Sequence, residues 1–498
     1  MNKTSNILKV NYTEMLMFDH EQKIMIDRIV KELEENNFAI FAGAGLSAPA
    51  GYVNWKELLR PLSIELNLDI DKETDLVSLA QYYVNENHGR SRLTERLIDE
   101  VGIAREPTTN HKILAKLPIS TYWTTNYDDL IEKSLDNEGK IADKKFTKNH
   151  LSQTKKGRSA IVYKMHGDAS LPDQAIITKD QYESYPLHFA PFVTALSGDL
   201  VSKTFLFLGF SFNDPNLDYI LSRIRIHFEQ NQRQHYCIFR KVNRADYSND
   251  EDFSYNLLKQ QFVIKDLARF SIKVVLIDSW NDLTRILEEI TKKFRCKNVF
   301  LSGSAHDFSP WDQTATEFFL SKLGEVLIQE GFKITSGLGL GIGNAFISGA
   351  IKEIYNRKYT KIDDYLTMKV FPQFVADPTE RKNIWTVWRK DLLSQTGIAL
   401  FFMGNKIITD PESGKQTIVL ADGMDEEFQI AHELGLKLIP IGASGYKAKE
   451  LFNQITSDFD QYYPNSTPKF REAFEKLNEE VDEPNKLLSK IHDVIKLI

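Results

Sequence analysis

Phe38-Ala39-Ile40-Phe41-Ala42-Gly43-Ala44-Gly45-Leu46-Ser47 is the stretch that decides the fold. Five apolar residues in a row fit a strand buried on both faces, as in a parallel sheet covered by helices. The run stops at Gly43 and Gly45, and glycines there let the backbone approach a phosphate at the start of the next helix. Just upstream, Ile26, Ile29, Val30 and Leu33 are spaced i, i+3, i+4, i+7 and predict a helix. Asp19 is its expected cap, with Gln22 at the capping-box position. Downstream, Thr121–Thr125, Ala160–Met165 and Thr204–Leu208 are short β-rich runs that end at polar residues or glycine. The region Trp55 to Leu117 is long, polar and helical in pattern, and reads as a helical insertion.

A second alternation begins after Arg295. Asn298–Leu301 predicts a strand with Ser302-Gly303-Ser304 as its loop, then a helix over Thr314–Gln329. Phe332–Thr335 predicts a strand that runs into the glycine-rich loop Gly337 to Gly343. A helix to about Tyr355, a strand near Met368–Phe371, a helix near Trp385–Leu393 and a strand Ile398–Met403 follow. Asp425–Leu434 reads as a helix and Leu438–Ile441 as a strand, and the tail after Pro464 is charged and helical. Repeated βα units imply α/β architecture: two Rossmann-like, doubly wound parallel-sheet domains, the first with a helical insertion. The boundary is expected near residues 285–297, giving a first domain over 21–285, a second over 296–498 and an N-terminal extension over 1–20.

Composition narrows the function classes. The 498 residues carry 62 Lys+Arg against 69 Asp+Glu, a formal net charge of −7. Phosphate binding needs clustered excess cations, so a chain-wide nucleic-acid surface is not expected. Cys237 and Cys296 are the only two cysteines, too few for a disulfide framework or a multi-cysteine zinc module. No run of about 18 uncharged apolar residues occurs, and the N-terminus does not read as a signal peptide. A soluble, cytoplasmic protein with no metal, no membrane and no nucleic-acid partner is the expectation.

Four strand ends carry polar segments, three of them with glycine: Gly43–Ser47, Thr124-Thr125-Asn126-Tyr127-Asp128, Tyr163–Asp168 around His166-Gly167-Asp168, and Gly209–Asn216. Ligands of open parallel sheets bind at the carboxyl ends of strands, so the four segments are expected to converge on one cleft. Read singly, Asn126 is also a turn former, His166 a structural histidine, and Asp128 and Asp214 helix caps. As an ordered set, these motifs resemble the sirtuin family, which binds nicotinamide adenine dinucleotide on a Rossmann-like domain. The resemblance implies that Gly43, Ala44, Gly45 and Ser47 line the dinucleotide phosphates. It places Asn126 and Asp128 near nicotinamide and its ribose, His166 as catalytic base, and Gly209 and Ser211 on the adenosine side. Deacylating sirtuins carry a four-cysteine zinc module, which this chain cannot build, and a Pro-Asp-Phe-Arg run where it reads Ala50-Gly51-Tyr52-Val53-Asn54-Trp55. Attack by water on NAD+ is therefore the expected reaction, with NAD+ as substrate. A protein deacylase and a non-catalytic nucleotide-binding scaffold are the alternatives.

In the second half, Arg381, Arg389 and Lys390 lie on or near one predicted helix, which also carries Trp385 and Trp388, and Lys406 follows Gly404-Asn405. A guanidinium clamps phosphate bidentately, while an ammonium supplies a compact charge. The loops around Ser302, Gly303, Ser304, Gly337 and Gly339 suit phosphates or ordinary tight connections. This half resembles the SLOG family of nucleotide-sensing domains. Its enzymatic relatives carry Pro-Gly-Gly-x-Gly-Thr-x-x-Glu where this chain reads Ala421-Asp422-Gly423-Met424-Asp425-Glu426-Glu427-Phe428, so sensing is expected rather than hydrolysis. A sirtuin-like half followed by a SLOG half resembles the effector family of the bacterial Thoeris antiphage system. That resemblance implies an NAD+ hydrolase activated by a cyclic ADP-ribose isomer made by a TIR-domain partner. Arg389 and Lys406 would hold the pyrophosphate and Glu427 a ribose. It also implies a tetramer, in some members a filament of tetramers.

Overall fold

The computed structural model describes residues 18–498 except 213, 230, 358–360, 372–374 and 411. Most of the expected N-terminal extension, and Asn213, lie outside the described residues. The chain divides into two compact units, residues 19–291 and 292–498.

The first unit opens with helix α1 (His20–Glu34), whose start is the expected capping box. The Asp19 carboxylate accepts from the Gln22 N–H at 2.8 Å, and the Gln22 side chain accepts from the Asp19 N–H at 3.1 Å. Ile26, Ile29, Val30 and Leu33 are buried on one face. Strand β1 (Phe38–Ala42) is buried along its whole length. After β1 come the short helix α2 (Ala44–Ser47) and the insertion: α3 (Trp55–Glu65), α4 (Leu76–Glu86), α5 (Ser91–Val101) and α6 (Thr109–Lys116). The insertion has its own core of Leu59, Leu62, Leu79, Tyr83, Leu93 and Leu97, which also packs on Tyr127, Ala175 and Ile177. The remaining strands are β2 (Thr121–Thr124), β3 (Ala142–Lys145), β4 (Ala160–Lys164), β5 (Thr204–Leu208), β6 (His235–Arg240) and β7 (Ile272–Ile277). They form a parallel sheet in the order β3-β4-β2-β1-β5-β6-β7.

β1 thus sits between β2 and β5, and the chain winds outward from it in both directions. The crevice at the carboxyl end of β1 is the topological switch point, where doubly wound sheets bind ligands.

The second unit repeats the design. β8 (Asn298–Ser304), β9 (Lys333–Ser336), β10 (Leu366–Met368), β11 (Ile398–Met403) and β14 (Lys437–Pro440) form a parallel sheet in the order β10-β9-β8-β11-β14. Helix α7 (Gln313–Gln329) follows β8, and α8 (Gly343–Asn356) follows the glycine-rich loop. β8 is the switch strand here, flanked by β9 and β11. The tail ends in a helix (Leu487–Lys496) that buries Leu487, Ile491, Val494 and Ile495.

Three local expectations change. Ser302-Gly303-Ser304 is the end of β8 and not a loop, because it pairs with Phe401-Phe402-Met403 of β11. Lys406 lies within an antiparallel hairpin of β12 (Asn405–Thr409) and β13 (Gln416–Leu420), where it pairs with Val419. The strand expected near Met368–Phe371 is Leu366–Met368, in register with Ile334–Ser336.

Candidate functional site

The loops after β1, β2, β4 and β5 meet at the switch point of the first unit, around a cavity of about 520 Å³. Ala44, Gly45, Ser47, Asn126, Asp128, His166, Gly209 and Ser211 all line it. The insertion supplies a further wall through Trp55, Leu76 and Leu97. Gly43 is not in the lining, but its carbonyl accepts a hydrogen bond from the Asn126 amide at 3.1 Å.

Glycine is required at this crossing for a reason the sequence reading did not contain. A Cβ on Gly43 would lie 2.5 Å from the Gly209 carbonyl oxygen, and one on Gly45 would lie 2.8 Å from the Gly209 Cα. Gly209 has φ of +63°, and its Cβ would lie 2.2 Å from the Leu46 nitrogen. Bare backbone lets the β1 and β5 loops interlock, with Gly45 N–H donating to the Gly209 carbonyl at 2.9 Å.

Asn126 is held firmly. Its Nδ2 donates to the Gly43 carbonyl and to Ser47 Oγ, each at 3.1 Å, and its backbone N–H donates to Thr124 Oγ1 at 3.0 Å. With both amide hydrogens spent inside the protein, the atom Asn126 offers a substrate is its Oδ1, an acceptor for a water or ribose hydroxyl.

His166 is buried, with Nδ1 3.3 Å from the Tyr182 hydroxyl and Nε2 3.1 Å from Asp214 Oδ2. The Asp214 approach is close but off the N–H line, so Nε2 has no directed hydrogen bond. Burial pushes the His166 pKa below its ordinary 6.5, and the Asp214 charge opposes that shift. Tyr182 stands on a helix (Lys179–His188), and burial holds its hydroxyl well above the usual range, so it stays protonated.

Beneath the site lies a buried charge cluster that the sequence reading did not pick out. Lys164 at the end of β4 is fully buried; its Nζ donates to the carbonyls of Tyr127 at 3.0 Å and Asp128 at 2.5 Å. It pairs with Asp168 at 2.6 Å and approaches Glu132 at 3.5 Å. Burial pushes the Asp168 carboxyl up, but the Lys164 charge and hydrogen bonds from Lys164, Ser170 and Lys144 outweigh it and hold the carboxyl well below 3.8. Lys164 therefore anchors the loop that carries Asn126. Its only signal in sequence was a charged residue ending an apolar strand.

In the second unit, Ser302 and Glu427 meet, with Ser302 Oγ donating to Glu427 at 2.6 Å. Helix α9 (Pro378–Ser394) brings Arg389 to the same place: Nε lies 3.3 Å from Glu427, and Nη1 donates to Glu426 at 2.6 Å. Arg389 is buried and also stacks over the rings of Phe371 and Trp385. Burial raises the Glu427 pKa, against hydrogen bonds from Ser302 and Arg389 that lower it. Lys406 pairs separately with Asp422. A Cβ on Gly303 would meet Phe402 O at 2.5 Å, one on Gly339 would meet Gly303 O at 2.0 Å, and one on Gly337 would meet the Phe371 ring at 2.8 Å. These glycines serve close packing around β8. Both phosphate-clamp cations of the sequence reading thus have carboxylate partners.

Residues 282–498 match the family described as STALD, the Sir2- and TIR-associating SLOG family, and residues 120–262 match the SIR2-like domain. A protein of Acinetobacter baumannii (strain 532279) named NAD(+) hydrolase ThsA is 96% identical over 97% of this chain and 100% of its own length. The chain belongs to the ThsA family. More distant ThsA relatives, also named NAD(+) hydrolases, are 45% identical in Bacillus cereus (strain MSX-D12) and 43% identical in Enterococcus faecium. Each alignment covers 96% of this chain and 98% of the relative. The two matched families are those to which each half bears a resemblance in sequence. Among the described residues no group of three or more His, Cys, Asp or Glu could hold a metal ion, and no helix is long and apolar enough to cross a membrane.

Proposed function

We propose that the chain, an NAD+ hydrolase of the ThsA family, cleaves the nicotinamide–ribose bond in the cavity of its first unit. The carrying observation is that Asn126, with both amide hydrogens committed, and His166, flanked by Tyr182 and Asp214, line one cavity at the switch point of the sheet. Cleaving the bond builds oxocarbenium character on the ribose, and the leaving nicotinamide is already cationic, so no strong general acid is needed. Asn126 Oδ1 orients the water or a ribose hydroxyl. His166, kept neutral near pH 7 by burial, accepts the proton; such assistance is typically worth ~10²–10⁴-fold. The β1 loop, with its bare backbone at Gly45 and the Ser47 hydroxyl, suits the pyrophosphate.

The second unit, in this reading, is the sensor. A cyclic ADP-ribose isomer made by a TIR-domain partner is its ligand, and loss of cellular NAD+ during phage infection is the outcome. Arg389 and Lys406 would hold the pyrophosphate and Glu427 a ribose, at the carboxyl end of β8 beside Ser302, Gly303, Ser304, Gly337 and Gly339. Arg389 is neutralised by Glu426 and Glu427, and Lys406 by Asp422, so phosphate would bind by exchange with resident carboxylates. A ligand that moves a 1:99 equilibrium to 99:1 must favour the active state by roughly 5.5 kcal/mol. The same resemblance carries the expectation of a tetramer, which light scattering checks. The experiment for the gate is nicotinamide release by the full chain with and without cyclic ADP-ribose isomers. Stimulation by one isomer supports the reading, and unchanged turnover at saturation with each of them refutes it.

A further inference from the structure

His166 is flanked on both ring nitrogens, and the two flanks are chemically different. Asp214 Oδ2 lies 3.1 Å from Nε2, and the Tyr182 hydroxyl lies 3.3 Å from Nδ1. A carboxylate offers only lone pairs. Even off the N–H line, the negative charge that close favours an N–H over a lone pair on Nε2, so the neutral ring carries its proton on Nε2. The lone pair that can act as a base is then on Nδ1, and it points at the Tyr182 hydroxyl. Both Tyr182 and Asp214 line the same cavity as Asn126.

We propose that the proton released in the hydrolysis reaches His166 through Tyr182, with Asp214 fixing the ring tautomer and facing the imidazolium that results. In the step, the attacking water forms its bond to the ribose C1 as the bond to nicotinamide breaks. The water proton passes to the Tyr182 oxygen while the Tyr182 proton passes to Nδ1. Tyr182 ends neutral, and His166 ends as an imidazolium beside the Asp214 carboxylate, later losing the proton to solvent. Tyr182 is the catalytic residue of this relay and Asp214 the positioning residue. The inference rests on the reading of His166 as the base.

Asp214 also caps the helix Pro215–Phe228, accepting from the N–H groups of Asn216 at 2.9 Å and Leu217 at 3.1 Å. Asp214→Asn keeps an acceptor for that cap and removes the charge. Tyr182→Phe keeps the ring against His166 and removes the hydroxyl. Tyr185, on the same helix as Tyr182, also faces His166 with its ring 6.3 Å from the imidazole, and Tyr127 from the loop after β2 acts on Tyr182.

The test measures kcat and KM for NAD+ between about pH 5 and 9, using the full-length chain under the conditions where the wild type is most active. Both variants are expected to lose more than threefold in kcat, on the order of the 10²-fold that general-base assistance supplies, with KM within threefold of wild type. In Asp214→Asn the acid limb of kcat is expected to move to lower pH, because the imidazolium has lost its carboxylate. Either variant keeping kcat within threefold, an unmoved acid limb in Asp214→Asn, or a loss seen mainly in KM overturns the relay. His166→Ala separates the two levels. If it turns over normally, the base assignment itself fails; if it is inactive while Tyr182→Phe is active, only the relay fails.

Discussion

Replacing Lys164 by methionine removes one buried charge while keeping most of the side chain's length and apolar stem. In the wild type that ammonium is fully buried, paired with Asp168 at 2.6 Å, and bonded to the carbonyls of Tyr127 and Asp128. Removing one partner of a buried pair typically costs about 3–5 kcal/mol, since the other charge is left uncompensated. Two features put the cost toward the low end. Asp168 keeps Lys144 at 2.9 Å and the Ser170 hydroxyl at 2.6 Å, and Glu132 is already pushed by burial toward its neutral form. With about 3 kcal/mol lost and ~2–4 °C per kcal/mol in a domain of this size, melting should fall by roughly 6–12 °C.

The sign with pH follows from Asp168, whose folded pKa is held well below 3.8. Its contribution is complete above its unfolded pKa of about 3.9 and is lost as pH falls through the folded value. The gap between wild type and variant should therefore be widest near neutrality and narrow below about pH 4. The same variant should lose turnover, because the two carbonyls released belong to the loop that holds Asn126. Thermal melting and nicotinamide release measured on one preparation read both effects. A variant that melts within about 2 °C of wild type at pH 7, a cost below about 1 kcal/mol, would refute the anchoring role.

Gly209→Ala places a Cβ 2.2 Å from the Leu46 nitrogen at φ of +63°. It should cost about 2–4 kcal/mol in strain and overpacking and raise KM for NAD+, read by melting and initial rates. Because burial holds the His166 pKa below 6.5, kcat should stay flat from pH 7 down to below pH 6.5 before it falls; a limb above 6.5 in the kcat profile contradicts this. Arg389→Ala should raise the concentration of cyclic nucleotide for half-maximal stimulation by at least about tenfold, the loss of one charge-assisted contact; an unchanged dose response contradicts it.

Much of the first sheet could be read from sequence because its central strands are buried on both faces. The apolar runs at Phe38–Ala42 and Thr204–Leu208 announce such strands, and both are buried at every position. Strand β3 reads Ala-Asp-Lys-Lys and lies at the edge of the sheet, where a polar strand gives little periodic signal. Ser302–Ser304 looked like a loop because of its composition, yet β11 supplies the hydrogen-bonded partner that keeps it extended. No local rule could foresee that partner. At the site, the four strand-end segments were visible as polar punctuation, glycine-containing in three of them, and the structure brings them to one cavity. Lys164, Tyr182 and the contact of Asp214 with His166 depend on tertiary approach across separate elements. Single residues of those types carry no distinguishing signal in a sequence. The glycines show the reverse case: Gly43, Gly45 and Gly209 were legible as necessary, but the reason is the interlock of two loops.

Hydrolysis at the cavity holding Asn126 and His166 requires that water supply the oxygen that replaces nicotinamide on the ribose. The most direct measurement is product analysis of NAD+ incubated in ¹⁸O-water with the wild type and with folded Asn126→Ala and His166→Ala chains. The wild type should release nicotinamide and ADP-ribose in equal amounts, with ¹⁸O on the ribose carbon, and the two variants should lose both products. Nicotinamide released by either variant at the wild-type rate, or no nicotinamide from the wild type with or without cyclic ADP-ribose isomers, would contradict it.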